Sequence, residues 1–304
     1  MLSRPDILVL GGGGVLGEAW INGVLAGIED ATDFDLRRCE YFVGTSAGSI
    51  VAAQLVAGQS PERPAPTGAA LVARTESAPA SAGGAVELAK RAGSWALALG
   101  SPLAPMALGI TAPGGALVRA AMLRTVPRPR GTLSRLREQI DRSGTKFDGR
   151  LRVVTVERRS GRRVVFGRPG APRASVGQAV AASCTVPWLF EPVRIGDREY
   201  VDGGIWSPTN LDVAPAWRDT QVLCLNPLAG TGATHSLFDF ARSVARSSVS
   251  LEELSLRRRG AAVQTVSPDL GTAAAMGQNL MDREPRARVL AAGYQQGRRL
   301  AMAR

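Results

Sequence analysis

Tyr41-Phe42-Val43-Gly44-Thr45-Ser46-Ala47-Gly48-Ser49-Ile50-Val51-Ala52-Ala53 is the stretch from which the rest of the chain is read. A short apolar run with strand character, Tyr41 to Val43, passes through G-x-S-x-G into an apolar helical pattern from Ser49 to Ala57. A strand turning directly into a helix holds the residue at the turn in a sparsely populated backbone conformation. Small residues two positions to either side, here Gly44 and Gly48, let the chain pass without a clash. Ser46 is therefore expected to stand exposed at the sheet edge, facing the amides that open the next helix. That is the setting a serine nucleophile needs, although a glycine-rich turn with an ordinary serine has the same five-residue pattern.

Upstream, Ile7-Leu8-Val9-Leu10 reads as a buried parallel strand running into Gly11-Gly12-Gly13-Gly14-Val15-Leu16-Gly17, with a helix from Val15 to about Glu29. Three functions compete for that glycine loop. A phosphate-binding Walker loop needs Lys and Ser/Thr after its last glycine, but Gly17 is followed by Glu18 and Ala19. A dinucleotide fingerprint fits Gly12, Gly14 and Gly17 but also wants an acidic residue closing the second strand, where this chain has Gly44-Thr45-Ser46. The remaining reading is an oxyanion hole of backbone amides facing Ser46 across the carboxyl ends of parallel strands.

With 304 residues and 45% hydrophobic content, the chain suits one large α/β domain with or without an appendage. Its net charge is +11, and Lys90 and Lys146 are the only lysines, so the excess is almost all arginine. Such a bias reflects either base composition of the genome or a positive surface that favours peripheral contact with an anionic membrane. No basic cluster is interleaved with aromatics, so nucleic acid is not the expected partner. Cys39, Cys184 and Cys224 are widely spaced and odd in number, as reduced buried thiols would be. No apolar segment is long enough to span a bilayer and none has the form of a signal peptide; a cytoplasmic, at most peripherally membrane-associated protein is expected.

Downstream, residues 59–130 read as an insertion. Gln59 to Gly84 is rich in Pro, Ala, Ser, Thr and Gly and reads as a linker or lid. Ala85 to Leu123 carries helical patterns with apolar runs Trp95–Leu99 and Met106–Ile110, either an ordinary helical subdomain or a greasy cap that shelters an acyl chain or dips into a bilayer surface. Arg124 to Arg130 is a basic connector and Leu133 to Ile140 a short amphipathic helix. Regular structure resumes with a strand pair, Leu151–Val156 and Arg163–Phe166, then a helix over Val176–Ser183. A strand over Glu199–Val201 runs into Asp202-Gly203-Gly204, and a further strand follows over Gln221–Asn226. From about Ser236 the tail reads as helical.

Strand–GGGG–helix, strand–GTSAG–helix, Ala182-Ser183-x-x-x-Pro187 and Tyr200-Val201-Asp202-Gly203-Gly204 occur in that order, and the set resembles the patatin-like phospholipases over residues 5–215. The resemblance implies a three-layer α/β/α sandwich with a mainly parallel central sheet. It also implies a serine acyl hydrolase of the phospholipase A or lysophospholipase type, acting on a lipid substrate. In that family a dyad without histidine does the chemistry: Ser46 would be the nucleophile and Asp202 the proton acceptor. The amides of Gly12, Gly13 and Gly14 would form the oxyanion hole, with no metal and no cofactor. Residues 216–304 would supply the last strand and an arginine-rich helical region on the same domain. A lipid acyltransferase using the same acyl-enzyme, or a non-catalytic lipid- or partner-binding module, are the alternatives. Ser46, Asp202 and His235 also follow the chain order of α/β-hydrolase triads. Only one strand precedes the serine elbow here, however, and that connectivity does not fit.

Overall fold

The computed structural model describes residues 2–65, 115–126, 129, 131–229, 249–277 and 279–303. The apolar stretch Trp95–Ile110, the greater part of the low-complexity run after Gln59, and His235 lie outside them.

Among the described residues, eight strands form one sheet in the order β5-β6-β3-β2-β1-β7-β8, with β4 paired to β3. They are β1 (Ile7–Leu10), β2 (Tyr41–Thr45), β3 (Leu151–Glu157), β4 (Arg163–Phe166), β5 (Val193–Ile195), β6 (Arg198–Asp202), β7 (Gln221–Leu225) and β8 (Ala262–Val266). The centre, β3-β2-β1-β7-β8, is parallel throughout, whereas β4, β5 and β6 pair antiparallel. All four β1 residues are buried, as a continuous aliphatic run requires when helices cover both faces.

Alternate strand residues face two cores. Leu8, Leu10, Phe42, Leu151 and Leu225 pack with Trp20, Val51, Val180 and Leu290. These come from α1 (Gly14–Ala31), α2 (Ala47–Val56), a later helix over Val176–Ser183 and one over Arg286–Met302. Ile7, Val9, Val43, Val154 and Cys224 face the other way, against Leu211, Val249 and Leu256. Each fully buried Leu, Ile or Phe contributes about 1.5–3 kcal/mol relative to exposure. The result is the three-layer α/β/α sandwich. Among the described residues the helices after α2 are, in chain order, α3 (Ala116–Thr125), α4 (Ser134–Arg142), α5 (Val176–Ser183), α6 (249–258), α7 (Leu270–Met276) and α8 (Arg286–Met302). α5 opens on a capping box in which Ser175 and Gln178 exchange side-chain and backbone hydrogen bonds.

The tail, expected from its sequence to be helical from about Ser236, also contributes a strand, β8, parallel to β7. Only Val263 and Val266 of this edge strand are buried, so the apolar signal is too sparse to show against the arginine-rich helices around it. The last helix, α8, crosses α1 at backbone contact. A Cβ on Gly27 would lie 2.1 Å from Tyr294 O, and one on Gly297 would lie 2.1 Å from Val24 O. Trp20 Nε1 donates to Gln296 Oε1 at 2.9 Å across that seam.

Strand register brings the chemistry together. β4 pairs with Val153 to Val156 of β3, so β2, pairing up to Val154, and β6, pairing from Thr155, must share the opposite edge of β3. Thr45 lies opposite Val154 and Asp202 opposite the next residue, Thr155. The end of β2 and the end of β6 therefore meet head to head, with Ser46 and Asp202 at the junction.

Candidate active site

Ser46 occupies φ 50°, ψ −124°, a region that costs of order 1–3 kcal/mol for a residue with a side chain. The surroundings fix it there. Its amide donates to Ser183 Oγ at 2.8 Å, and Ser183 Oγ donates to Val154 O at 2.7 Å, tying the elbow through α5 to the central strand. Ser49 Oγ holds the Ser46 carbonyl at 2.6 Å. The flanking glycines meet a steric demand: a Cβ at Gly44 would sit 2.4 Å from Ser49 Cα, and one at Gly48 2.0 Å from Leu10 O.

Asp202 ends β6 and is 5% exposed. Its amide donates to Thr185 O at 2.9 Å, and Oδ1 accepts the Gly204 amide at 2.7 Å. Burial pushes its carboxyl up to about 6, against hydrogen bonds from the Gly204 amide and the Ser46 hydroxyl that pull it down. No cation is among the causes of this shift. Gly203 leaves room for the turn, since a Cβ there would lie 2.4 Å from Val154 O.

A third group, not singled out in the sequence, joins the two halves. Asn210, fully buried and left-handed at φ 51°, donates through Nδ2 to Thr45 Oγ1 (3.1 Å), Gly203 O (3.3 Å) and Ser207 O (2.8 Å). One amide thus bridges the neighbour of Ser46 to the neighbour of Asp202. Behind it, the half-buried Glu252 of α6 accepts from Thr209 Oγ1 at 3.1 Å and the Leu211 amide at 2.8 Å. Burial first, then the Asp212 charge, raises Glu252 to about 7. The available signal was the polar run Ser207-Pro208-Thr209-Asn210 directly after the aspartate turn.

The glycine loop lies against the serine: a Cβ on Gly12 would be 3.3 Å from Ser46 Cβ. The Gly12 amide, however, donates to Pro208 O at 2.9 Å and is not available to an oxyanion, contrary to its expected role. Gly13 caps α1 and Gly14 is its first residue, so their amides lie outside the helical ladder. Neither makes a backbone hydrogen bond among the described residues. Gly17 closes the first turn by donating to Gly13 O at 2.8 Å. Nearby, Cys184 Sγ is 3.9 Å from Ser49 Oγ, and burial followed by the Asp202 charge keeps it a thiol. Among the described residues no group of three His, Cys, Asp or Glu side chains converges to hold a metal.

The sheet and the junction at its edge make this an α/β/α domain that carries a serine on a strand-to-helix elbow next to a buried carboxylate. A family model described as Patatin-like phospholipase matches residues 8–215, more than half of the chain, and the chain belongs to that family. It is thereby an enzyme that hydrolyses ester bonds of lipids. Among solved structures it is similar to VipD from Legionella pneumophila, with a TM-score of 0.50, 17% identity and coverage of 98% of this chain and 67% of that one. The type III effector protein ExoU aligns with a TM-score of 0.41 at 16% identity, over 98% of this chain and 53% of that one. ExoU in its complex with SpcU, from Pseudomonas aeruginosa, gives 0.39 at 20% identity, over 97% and 51%. This chain spans about half the length of both ExoU chains. No curated protein matches the sequence. No helix among the described residues is long and apolar enough to cross a membrane.

Proposed function

We propose that this chain is a serine acyl hydrolase of the phospholipase A or lysophospholipase type, working through a Ser46–Asp202 dyad and an acyl-enzyme. The observation that carries it is the junction of β2 and β6 on one edge of β3, which sets the strained serine beside a buried carboxylate. Asp202 accepts the Ser46 proton as Oγ attacks the ester carbonyl, and the amides of Gly13 and Gly14 receive the oxyanion. The departing alkoxide takes the proton from Asp202. Water then gives a proton to the same carboxylate and attacks the acyl carbonyl; as the tetrahedral intermediate collapses, Asp202 returns that proton to Ser46 Oγ and the fatty acid leaves. A carboxylate is a weak base toward a hydroxyl, and a burial-raised pKa narrows that gap. The substrate we assign is a lipid carboxylic ester.

The test is a panel of a diacyl phospholipid, a lysophospholipid and a diacylglycerol, each with and without a competing short alcohol, read by product analysis. Fatty acid from at least one phospholipid, with acyl transfer to the alcohol only as a minor product, is the expected result. Fatty acid from none of them, or transfer as the dominant outcome, would overturn the assignment.

A further inference from the structure

Beyond the carboxyl edge of the sheet, the β3–β4 turn, the β5–β6 hairpin and the end of α3 enclose a groove of about 900 Å³. Seven arginines line it against three carboxylates, and neither Ser46 nor Asp202 is part of its wall. Some of that charge is matched: Arg158 pairs with Glu199 at 3.0 Å and Arg163 with Asp212 at 2.6 Å, while Arg198 and Asp197 stand 3.9 Å apart. Glu157 is turned toward the Ser160 hydroxyl and the Arg159 amide. Arg124, Arg159, Arg162 and Arg194 are exposed and have no ion pair among the described residues. Arginine is common throughout this chain, so number alone carries nothing. What distinguishes the groove is that uncompensated guanidinium groups from three separate segments converge on one concavity.

Its position links it to the chemistry. The turn begins three residues beyond Thr155, the partner of Asp202, which at ~3.3 Å per residue puts it roughly 10 Å further out on the same edge. The Arg163 guanidinium stacks over Trp206 at 4.9 Å and Arg119 over the same ring at 3.9 Å. Trp206 ends the turn that starts at Asp202.

We propose that this groove binds the phosphate of anionic phospholipid headgroups at a bilayer surface, and so sets the Ser46 edge against the membrane. Guanidinium forks suit phosphate oxygens, and a wide groove with spaced cations suits headgroups in a surface better than one small ion. The choice of ligand rests on the lipid-ester reading above; the charge geometry does not.

Full-length Ser46→Ala protein, which cannot turn lipid over, is sedimented with phosphatidylcholine vesicles and with phosphatidylcholine–phosphatidylglycerol vesicles, at low and high salt and with added inorganic phosphate. Sedimentation with the anionic vesicles, weakened by salt, is expected. Adding Arg159→Gln, Arg162→Gln and Arg194→Gln should lower the partition coefficient about 100-fold, at about five-fold per arginine. Arg218→Gln, Arg258→Gln and Arg259→Gln remove the same charge near the amino edge of the sheet, where Asp219 N bonds Gly260 O, and should change it less than three-fold. Equal losses in the two triple variants would show bulk charge at work and overturn the proposal. Inorganic phosphate that displaces the protein at constant ionic strength would mean a site for the free ion and would overturn it too. With Ser46 intact, the groove variant should keep its kcat/KM on a short soluble ester; a parallel loss there would assign these arginines to folding or catalysis. Vesicle binding is read without turnover, so its failure is separable from failure of the hydrolase assignment.

Discussion

The junction of β2 and β6 and the groove beyond it differ in every property that side chains control. At the junction one carboxylate, 5% exposed, sits with backbone amides and hydroxyls, and no cation contributes to its shifted pKa. In the groove arginines outnumber carboxylates and most face solvent. The two proposed jobs make opposite demands. A weak base gains strength by losing water, and a cation beside Asp202 would undo this by favouring its charged form. Capture of a charged surface needs hydrated, reachable charge instead. Separating the two by roughly 10 Å along β3 lets one sheet edge serve both.

The sharpest way to break this contrast is to remove the charge from the dry side. Asp202→Asn should lower ester hydrolysis by ~10³-fold or more, because an amide cannot accept the serine proton. The same change should stabilise the fold at pH 8. The folded pKa of about 6 lies above the unfolded value, so the buried charge destabilises the native state as pH rises through that interval, by up to about 3 kcal/mol. Thermal unfolding at pH 8 and pH 4 checks it: a higher Tm at pH 8 only. A variant that is inactive but no more stable at pH 8 would show that Asp202 is not held dry.

Asn210→Ala should come next in size. It unties Thr45 from Gly203 and leaves buried acceptors unmet, about 1–3 kcal/mol of stability. We expect a 10- to 100-fold fall in kcat with KM changed less than three-fold, measured on a soluble ester. A matching rise in KM would make Asn210 merely structural.

Smaller still is the effect of pH on the intact enzyme. Since Asp202 must be ionised to accept a proton, kcat/KM should fall ten-fold per pH unit below about 6 and level off above it. The groove variant should show the same limb; a shift of half a unit or more would mean that the two regions are electrostatically joined. His235→Ala should have the least effect, within a few-fold in kcat, as a dyad without histidine requires.

How much of this was legible depended on what kind of constraint a residue carried. Ser46, Gly44 and Gly48 could be read because backbone sterics leave so few residue types at an elbow. Asp202 was legible as a carboxylate on a glycine turn, and Ser183 as part of an ordered set. Asn210 and Glu252 act through hydrogen bonds to segments distant in sequence, and the polar run Ser207 to Asn210 marks a turn without saying which segments it ties. The engaged amide of Gly12 depends on Pro208, far along the chain, and so could not be separated from Gly13 and Gly14 by spacing. β8 was hidden for a different reason: its two buried valines face opposite cores, Val266 one and Val263 the other, so this edge strand shows no apolar alternation to read.

On the proposed mechanism Ser46 Oγ is the atom acylated, held in place by the junction with Asp202. Intact protein treated with a serine-directed fluorophosphonate and digested for mass spectrometry tests this most directly. A single stoichiometric adduct is expected on the peptide containing Gly44-Thr45-Ser46-Ala47-Gly48, absent from folded Ser46→Ala protein. An adduct on another residue, or labelling that persists undiminished in Ser46→Ala, would contradict it.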